Sequence, residues 1–241
     1  LYAQLYLGLI YFNGICVSID IEKAIYYFTL SANQNNSIAQ FNLGFIYFTG
    51  AGVLKDIKKA ILYLTKSANL NFSNAQYYLG TIYYEVYELR NIDKSFHYLK
   101  LSIKQNNPFA LHYLGKIYYE GKYIRRDINK SIHYFNLSAN LNHSDSYFFL
   151  GKIYYNNKYV PRDINKAIHY FTLSADLNNS NGLNYLGSFY YFGKYVKRDI
   201  NKSIQYLTLS AKLNNSDSQY FLGLIYYVGE YVKRDLNKAV Y

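Results

Sequence analysis

Three of the five histidines lie at equal intervals along the sequence, at His97, His133 and His169. Imidazole is a common metal ligand and titrates near neutral pH, so such a row first suggests a metal centre or acid–base chemistry. The intervals argue against a shared metal, because stacked helices lie about 8–10 Å apart, whereas zinc holds a histidine nitrogen at about 2.0–2.1 Å. We therefore expect these histidines on the surfaces of successive helices, and we predict no metal site.

Carboxylates recur with the same period as the histidines. Four aspartates begin similar segments: Asp127, Asp163, Asp199 and Asp235. Equal repetition in every segment indicates a structural role, here as helix caps, because an active site is rarely built many times over. The glycines do not stand between a strand and a helix, so no nucleotide-binding loop is predicted. The sequence offers no catalytic residue and no cofactor site, and we predict that the chain is not an enzyme.

The composition describes a folded chain with a basic surface. Hydrophobic residues make up 51% of the 241 residues and charged residues 17%, unlike the composition of a disordered chain. The net charge, 26 minus 15, is +11, which suits an acidic partner, although AT-rich coding DNA also accounts for it. The single cysteine, Cys16, excludes a disulfide framework and favours a reducing compartment such as the cytoplasm. No apolar run approaches the roughly 18 residues that a membrane span needs.

The elements that must position all these residues are copies of one unit. Seven glycines mark equivalent places: Gly8, Gly44, Gly80, Gly115, Gly151, Gly187 and Gly223. Their spacings by subtraction are 36, 36, 35, 36, 36 and 36 residues, a period typical of a solenoid. We predict an all-α protein of about seven 36-residue helix-turn-helix repeats that form one domain over residues 1–241. Both ends fall inside a repeat, so we expect a monomeric segment of a longer protein.

The first helix of each unit, helix A, extends about five residues on either side of its glycine. A small residue stands five positions before the glycine, as Ala110 does before Gly115, and the pair allows another helix to approach closely. A second glycine, such as Gly121, supplies the left-handed residue that ends helix A. The third unit is one residue shorter and has Val86 at this place, so its turn must differ, and in the fifth unit Asn157 substitutes for the glycine.

The second helix, helix B, begins with an N-cap such as Asp127. A lysine follows three positions later and a tyrosine four positions after the lysine, as in Lys130 and Tyr134, and most of the 33 tyrosines fall in such fixed columns that indicate packing. In the linker to the next unit, we expect Asn142 to adopt a left-handed conformation and Ser144 to cap the following helix. The linkers also spell the Asn-x-Ser glycosylation signal, which turn chemistry explains without a sugar.

This combined pattern resembles the Sel-one-like repeat, a relative of the tetratricopeptide repeat. In the second unit the match is carried by Ala39, Leu43, Gly44, Tyr47, Gly50, Asp56, Lys59, Ala60, Tyr63 and Ala68. The resemblance covers the whole chain and implies an α/α right-handed superhelix that serves as an adaptor in protein complexes. A cysteine-rich secreted branch of this family pairs its helices by disulfides, which Cys16 alone cannot do.

Three columns of helix A vary from unit to unit, whereas the packing columns hardly change. They lie three before, one after and five after the glycine, and this spacing puts them on one surface, here named the helix A face. We predict that it lines the concave side and binds a protein or peptide through Phe41, Phe45, Tyr77, His112, Lys116, Phe148, Lys152, Phe192, Tyr220 and Leu224. The expected anchors are Phe41, Tyr77, His112, Phe148 and Tyr220. The alternative is that some of these rings pack between neighbouring A helices.

A second surface, the basic ridge, lies in the turns between helix A and helix B of the last four units. Its residues are Arg125, Arg126, Arg162, Lys197, Arg198, Lys233 and Arg234, extended by Lys122, Lys158 and Lys194. Similar places in each unit put these charges along one edge, which suits nucleic acid or another acidic surface. A protein partner is favoured over nucleic acid, because charged turns are commonly only solvated and the first three units lack the ridge. We expect the ridge to contribute to association and not to folding.

Overall fold

The computed structural model describes residues 2–156 and 158–239, and the fold there is entirely helical. The α-helices are α1 (Tyr2–Asn13), α2 (Ile21–Ala32), α3 (Ser37–Thr49), α4 (Ile57–Asn69), α5 (Ser73–Glu85), α6 (Ile92–Ile103), α7 (Pro108–Glu120), α8 (Ile128–Ala139), α9 (Ser144–Tyr155), α10 (Ile164–Asp176), α11 (Ser180–Phe192), α12 (Ile200–Lys212), α13 (Ser216–Val228) and α14 (Leu236–Ala239). A 3₁₀ helix covers Tyr87–Leu89. Odd-numbered helices are helix A of successive repeats and even-numbered helices are helix B, which confirms the predicted all-α repeat architecture.

The chain divides into two compact halves, here named unit 1 and unit 2, each of which contains several repeats and is described separately. Unit 1 extends to Leu114, and unit 2 begins at Gly115. Within each unit, consecutive helices pack against one another, so that helix B of one repeat also contacts helix A of the next. The handedness of the superhelix and its organisation as one domain stay predictions.

Helix A and helix B of each repeat meet at the glycine column. A Cβ atom on Gly44 in unit 1 would lie 2.7 Å from Cγ of Leu64, and one on Gly151 in unit 2 would lie 2.7 Å from Cδ1 of Phe171. Both Leu64 and Phe171 are fully buried, so neither can move aside without disturbing the core. The absent side chain therefore allows helix A to lie directly on the large residue of helix B, as the spacing predicts.

The predicted left-handed glycines end most of the A helices. Five glycines at this place have φ between 63° and 75°: Gly14, Gly50, Gly121, Gly193 and Gly229. In the third repeat, Val86 keeps an extended conformation with φ of −75°, and the 3₁₀ helix after it completes the turn. The expectation that this turn differs is thus confirmed, because a valine at positive φ would be strained. Asn157 lies outside the described residues.

Helix B begins at the predicted caps. The side chain of Asp127 accepts a hydrogen bond of 3.0 Å from the backbone N–H of Lys130, and the Lys130 ammonium lies 3.5 Å from the same carboxylate. The backbone hydrogen bond is the main reason why the pKa of Asp127 is lowered. The same arrangement holds at Asp20 and Lys23, where the ammonium lies 2.9 Å from the carboxylate. The aspartate column is therefore a set of helix caps.

The linkers between repeats contain the predicted left-handed asparagines, but the caps of the A helices differ from the prediction. Six linker asparagines have φ between 55° and 61°: Asn35, Asn71, Asn106, Asn142, Asn178 and Asn214. The predicted serine caps are wrong, because the residue before the serine is the N-cap. The Asn179 side chain accepts from the N–H groups of Asn181 and Gly182, whereas His143, which precedes Ser144, makes no side-chain cap bond.

Besides the glycine contact, a pair of stacked tyrosines joins helix A to helix B within a repeat. Tyr118 of α7 stacks on Tyr134 of α8 with ring centroids 5.8 Å apart and planes 4° apart, and the ammonium of Lys130 lies 5.1 Å from the centroid of the Tyr118 ring. Parallel pairs at equivalent places are Tyr11 and Tyr27, Tyr47 and Tyr63, Tyr83 and Tyr98, Tyr154 and Tyr170, and Tyr190 and Tyr206. These six stacks of a lysine and two tyrosines contain twelve of the 33 tyrosines.

We predict that Gly151→Ala destabilises the chain although alanine favours helices. The added methyl group would overlap the Phe171 ring, and overpacking of a tight core costs about 1–3 kcal/mol. Thermal unfolding followed by circular dichroism should show a lower melting temperature than the wild type. The control, His169→Ala, removes an exposed side chain two residues from Phe171 and should change little. Equal melting temperatures for Gly151→Ala and wild type would contradict the packing argument.

Candidate protein-interaction surfaces

In unit 1 the helix A face carries aromatic rings that are neither fully buried nor free of packing. Phe41 and Phe45 of α3 are half-buried, and their ring centroids each lie 5.6 Å from that of Tyr78 on α5. Phe41 also contacts Phe72, at 5.2 Å. These rings thus pack in part between neighbouring A helices, as the alternative interpretation holds, and still expose part of their surface.

The helix A face continues between α5 and α7 in unit 1. The ring centroid of Tyr77 lies 6.1 Å from that of Phe109 and 6.0 Å from that of Tyr113. The Tyr113 hydroxyl donates a 2.7 Å hydrogen bond to Oε1 of Glu85. Burial raises the pKa of Tyr77 to about 12, and burial together with the bond to Glu85 raises the pKa of Tyr113. Both phenols are therefore neutral at physiological pH, and His112 lies half-buried on the same helix as Tyr113.

In unit 2 the structure corrects the expectation for one anchor. Phe148 is only 9% exposed and belongs to the core, with its ring centroid 6.0 Å from that of Phe171 and 5.8 Å from that of Tyr185. The ring enters the space between helix α9 and its neighbours α10 and α11, so a partner cannot reach it. The two lysines of the face are half-buried: Lys116 lies 3.7 Å from Glu120, and Lys152 lies 5.9 Å from the Phe149 ring centroid.

The other apolar residues of the face in unit 2 are open to solvent. Phe192 is 59% exposed, Tyr220 is 70% exposed and Leu224 is 39% exposed. The Phe192 ring stacks on that of Phe221 with centroids 5.7 Å apart, which leaves its other side accessible. The helix A face of unit 2 therefore combines a buried Phe148, two lysines and a separate group of accessible apolar side chains.

The arginines of the basic ridge contact the chain itself. Arg126 donates from Nε to the carbonyl of Tyr119 and from Nη2 to the carbonyl of Glu120, both at 2.8 Å, and its guanidinium lies 4.9 Å from the ring centroid of Tyr159 in the next repeat. Arg162 likewise bonds and stacks on Tyr195, and Arg198 on Tyr231. Arg126 and Arg198 thus bind carbonyls at the end of helix A, and all three arginines contact a tyrosine of the next repeat. These contacts argue against the expectation that the ridge does not contribute to folding, which stays a prediction.

The three equally spaced histidines each lie beside a tyrosine. His97, His133 and His169 are exposed, and each ring packs beside the following tyrosine with centroids 5.4, 5.3 and 5.6 Å apart. Across residues 2–156 and 158–239, no three His, Cys, Asp or Glu side chains are grouped so that they could hold a metal ion. Over the same residues, every helix is too short or too polar to cross a membrane.

The repeat boundaries coincide with a known family. The model of the Sel1 repeat matches residues 1–36, 37–72, 73–107, 108–143, 144–179, 180–215 and 216–241, so the matches cover every repeat. The chain belongs to the Sel1 repeat family. Sel1 repeat proteins are generally protein-interaction scaffolds, and their fold is not itself catalytic. The predicted family is thereby confirmed.

Solved structures of Sel1 repeat proteins are similar along nearly the whole chain. A Sel1 repeat protein from Oxalobacter formigenes is 26% identical with a TM-score of 0.85, over 98% of this chain and 96% of that one. A protective antigen of uropathogenic Escherichia coli with an SLR fold is 28% identical with a TM-score of 0.76 over 99% of this chain, which spans 51% of that protein. An immunity protein from Pseudomonas aeruginosa, 21% identical with a TM-score of 0.60 over 80% of this chain and 74% of that one, shares the fold. No curated protein is significantly similar in sequence.

In these Sel1 repeats, tyrosine rings lie between the cations of the basic ridge. Tyr159 lies beside both Arg126 and Lys158, at 4.9 and 5.2 Å from its ring centroid, and Tyr195 beside Arg162 and Lys194, at 5.1 and 5.4 Å. Binders of single-stranded nucleic acid stack bases on open aromatic faces. The rings of the ridge are engaged by cations of the same chain, which disfavours that alternative.

Arg90, which binds a carbonyl at the end of helix A as Arg126 does, was not identified from the sequence. Arg90 in the third repeat donates from Nε to the carbonyl of Tyr84 at 3.3 Å, and its guanidinium lies 5.2 Å from the Tyr87 ring centroid. Arg90 directly precedes the cap Asn91, as Arg126 precedes Asp127, and this position relative to the cap was the available signal. The one-residue deletion hid it, because counting from the preceding glycine shifts the register.

We predict that Arg126→Glu and Arg125→Glu have different effects on stability. The two changes alter charge equally in adjacent residues, but no hydrogen bond or ring contact of Arg125 is seen within the described residues, whereas Arg126 binds two carbonyls and a ring. Loss of these contacts should lower the free energy of unfolding by about 1–2 kcal/mol for Arg126→Glu only. Chemical denaturation measures both variants. Equal stability of the pair would show that the contacts of Arg126 contribute nothing.

Proposed function

We propose that this Sel1 repeat chain is an interaction scaffold that binds a partner protein or peptide on its helix A face. The observation that carries the proposal is the contrast between columns. The glycine, small-residue and tyrosine columns repeat and pack, whereas the helix A face changes from repeat to repeat and keeps large apolar side chains accessible, such as Phe192, which is 59% exposed. Varied, accessible aromatic residues on a rigid support are typical of binding surfaces.

The packing of the half-buried rings supports this function. Phe41, Phe45 and Tyr77 each contact rings on their own or a neighbouring helix, so their orientations are restricted before any partner arrives. Association therefore costs less side-chain entropy than it would with freely rotating residues. A ring that is held on one side and open on the other can bury its open side against a partner.

The two units differ in the chemistry of this face. In unit 1 the face is aromatic, with Phe41, Phe45 and Tyr77 on α3 and α5. In unit 2 Lys116 and Lys152 alternate with apolar residues, and the accessible apolar group lies on α11 and α13. We infer that the units recognise different segments of a partner, and variants in each unit are therefore tested separately.

We predict that Tyr220→Ser and Phe148→Ser, two changes in one column, separate binding from folding. Tyr220→Ser should weaken binding at least tenfold without lowering stability, because the Tyr220 ring is 70% exposed. Phe148→Ser should lower the free energy of unfolding by about 3–5 kcal/mol, because it empties a core position.

The probe for this test is a peptide enriched from a displayed library of random 12-residue sequences by selection on the 241-residue chain. Affinity is measured by fluorescence anisotropy, and stability by denaturation, on each variant. Phe45→Ser is the corresponding variant of unit 1, and a loss of affinity in this variant identifies peptides that bind the helix A face of unit 1. The proposal fails if no peptide is enriched, or if the enriched peptides bind variants of both units as tightly as the wild type.

A further inference from the structure

Glu85 is a carboxylate in an electrostatically unfavourable position, although the same helix end carries the guanidinium of Arg90 on the Tyr84 carbonyl. It is the last residue of α5, where the carbonyl end of the helix carries partial negative charge and disfavours an anion. Its side chain is exposed, and within the described residues it forms no ion pair. The hydroxyl of Tyr113 donates to Oε1, which fixes the carboxylate in position but does not neutralise it.

The next repeat shows how the chain compensates an equivalent charge. Glu120 is the last residue of α7, and Lys116, one helical turn earlier, lies 3.7 Å from it. In the third repeat the residue equivalent to Lys116 is Thr81, whose hydroxyl donates to the carbonyl of Tyr78 at 2.8 Å. The third repeat therefore has a carboxylate, Glu85, at the position of Glu120, but no lysine at the position of Lys116.

The surroundings of Glu85 are suited to a positive charge. Tyr113, which holds the carboxylate, is in contact with Tyr77, and Tyr77 with Phe109, which is 51% exposed. Aromatic faces attract cations, and both phenols are neutral at physiological pH. Helices α1, α3 and α5 contain no lysine or arginine. Of the cations near Glu85 in sequence or on α7, Arg90 binds the Tyr84 carbonyl and lies over the Tyr87 ring, and Lys116 lies 3.7 Å from Glu120.

We propose that Glu85, Tyr113, Tyr77 and Phe109 form a binding site for a basic side chain of the partner, with arginine preferred. The guanidinium pairs with the carboxylate through its planar donors and stacks on aromatic rings, which a lysine ammonium does less well. Apolar residues of the same partner segment cover Tyr77 and Phe109. The inference rests on the proposed function of the helix A face and specifies the chemistry of its partner in unit 1.

The test is a double-mutant cycle on peptides from the same displayed library, restricted to those whose binding is weakened by Phe45→Ser or by Tyr77→Ser. Such peptides should contain an arginine next to apolar residues. Replacing that arginine by citrulline, its neutral isostere, should weaken binding about tenfold to the wild type and less than twofold to Glu85→Gln. Lysine in its place should give an intermediate affinity.

The matched control is Glu120→Gln, which removes a carboxylate at the same helical position that is already paired with Lys116. This variant should keep the full tenfold effect of citrulline. Glu85→Gln should melt no lower than the wild type, because it removes an unfavourable charge, so a loss of binding cannot come from unfolding.

Two results overturn the inference. The first is that peptides which bind unit 1 carry no excess of basic residues, and the second is that citrulline weakens binding equally to the wild type and to Glu85→Gln. In either case peptides still bind the helix A face, so the proposed function stands while the cation site fails. If no peptide responds to variants of the face, the proposed function fails first, and the cation site fails with it.

Discussion

The close contact between helix A and helix B at one glycine is the constraint on which each repeat depends. Gly151 lies against Phe171, and Gly44 against Leu64, at distances that leave no room for a methyl group. Because the helices meet there, the side of helix A that carries the glycine must repeat, while the helix A face is less constrained and varies from repeat to repeat. The division between constant and variable columns is consistent with this contact.

The abundant tyrosines and cations are largely used by the fold. Lys130 lies over Tyr118, which stacks on Tyr134, and Arg126 reaches Tyr159 in the next repeat. A net charge of +11 would ordinarily suggest an anionic partner. Here many of the positive groups are paired with aromatic rings or cap aspartates of the same chain, so the total charge says little about the partner.

Much of the fold could be predicted from the sequence, because its determinants are local and repeated. The glycine spacing, the aspartate caps and the left-handed linker asparagines each depend on a few neighbouring residues, and repetition made them recognisable. The deviant turn at Val86 was predicted for the same reason. The serine caps were predicted wrongly, since the choice between two adjacent residues of a cap depends on backbone geometry that composition does not reveal.

The candidate surface was harder to predict, because exposure depends on residues in other repeats. Phe148 and Tyr220 share one column, yet Phe148 is buried beside Phe171 and beside Tyr185 of the next A helix, whereas Tyr220 lies on α13, after which the sequence contains no further A helix. Arg125 and Arg126 are identical neighbours, yet within the described residues only Arg126 makes hydrogen bonds and a ring contact. The isolation of Glu85 becomes visible only when its surroundings are compared with those of Glu120.

The arginine contacts between repeats also bear on how such a chain can change in length during evolution. Arg162 and Tyr195 are 33 residues apart, as are Arg198 and Tyr231, and each of the last four repeats carries an arginine and a tyrosine at these positions. Tandem duplication of one of these four repeats in the gene recreates every such pair, wherever within the repeat the duplication begins. Loss of one unit likewise joins an arginine to the next available tyrosine. Lineages can therefore gain or lose repeats in this part of the chain while the arginine–tyrosine contacts are inherited intact.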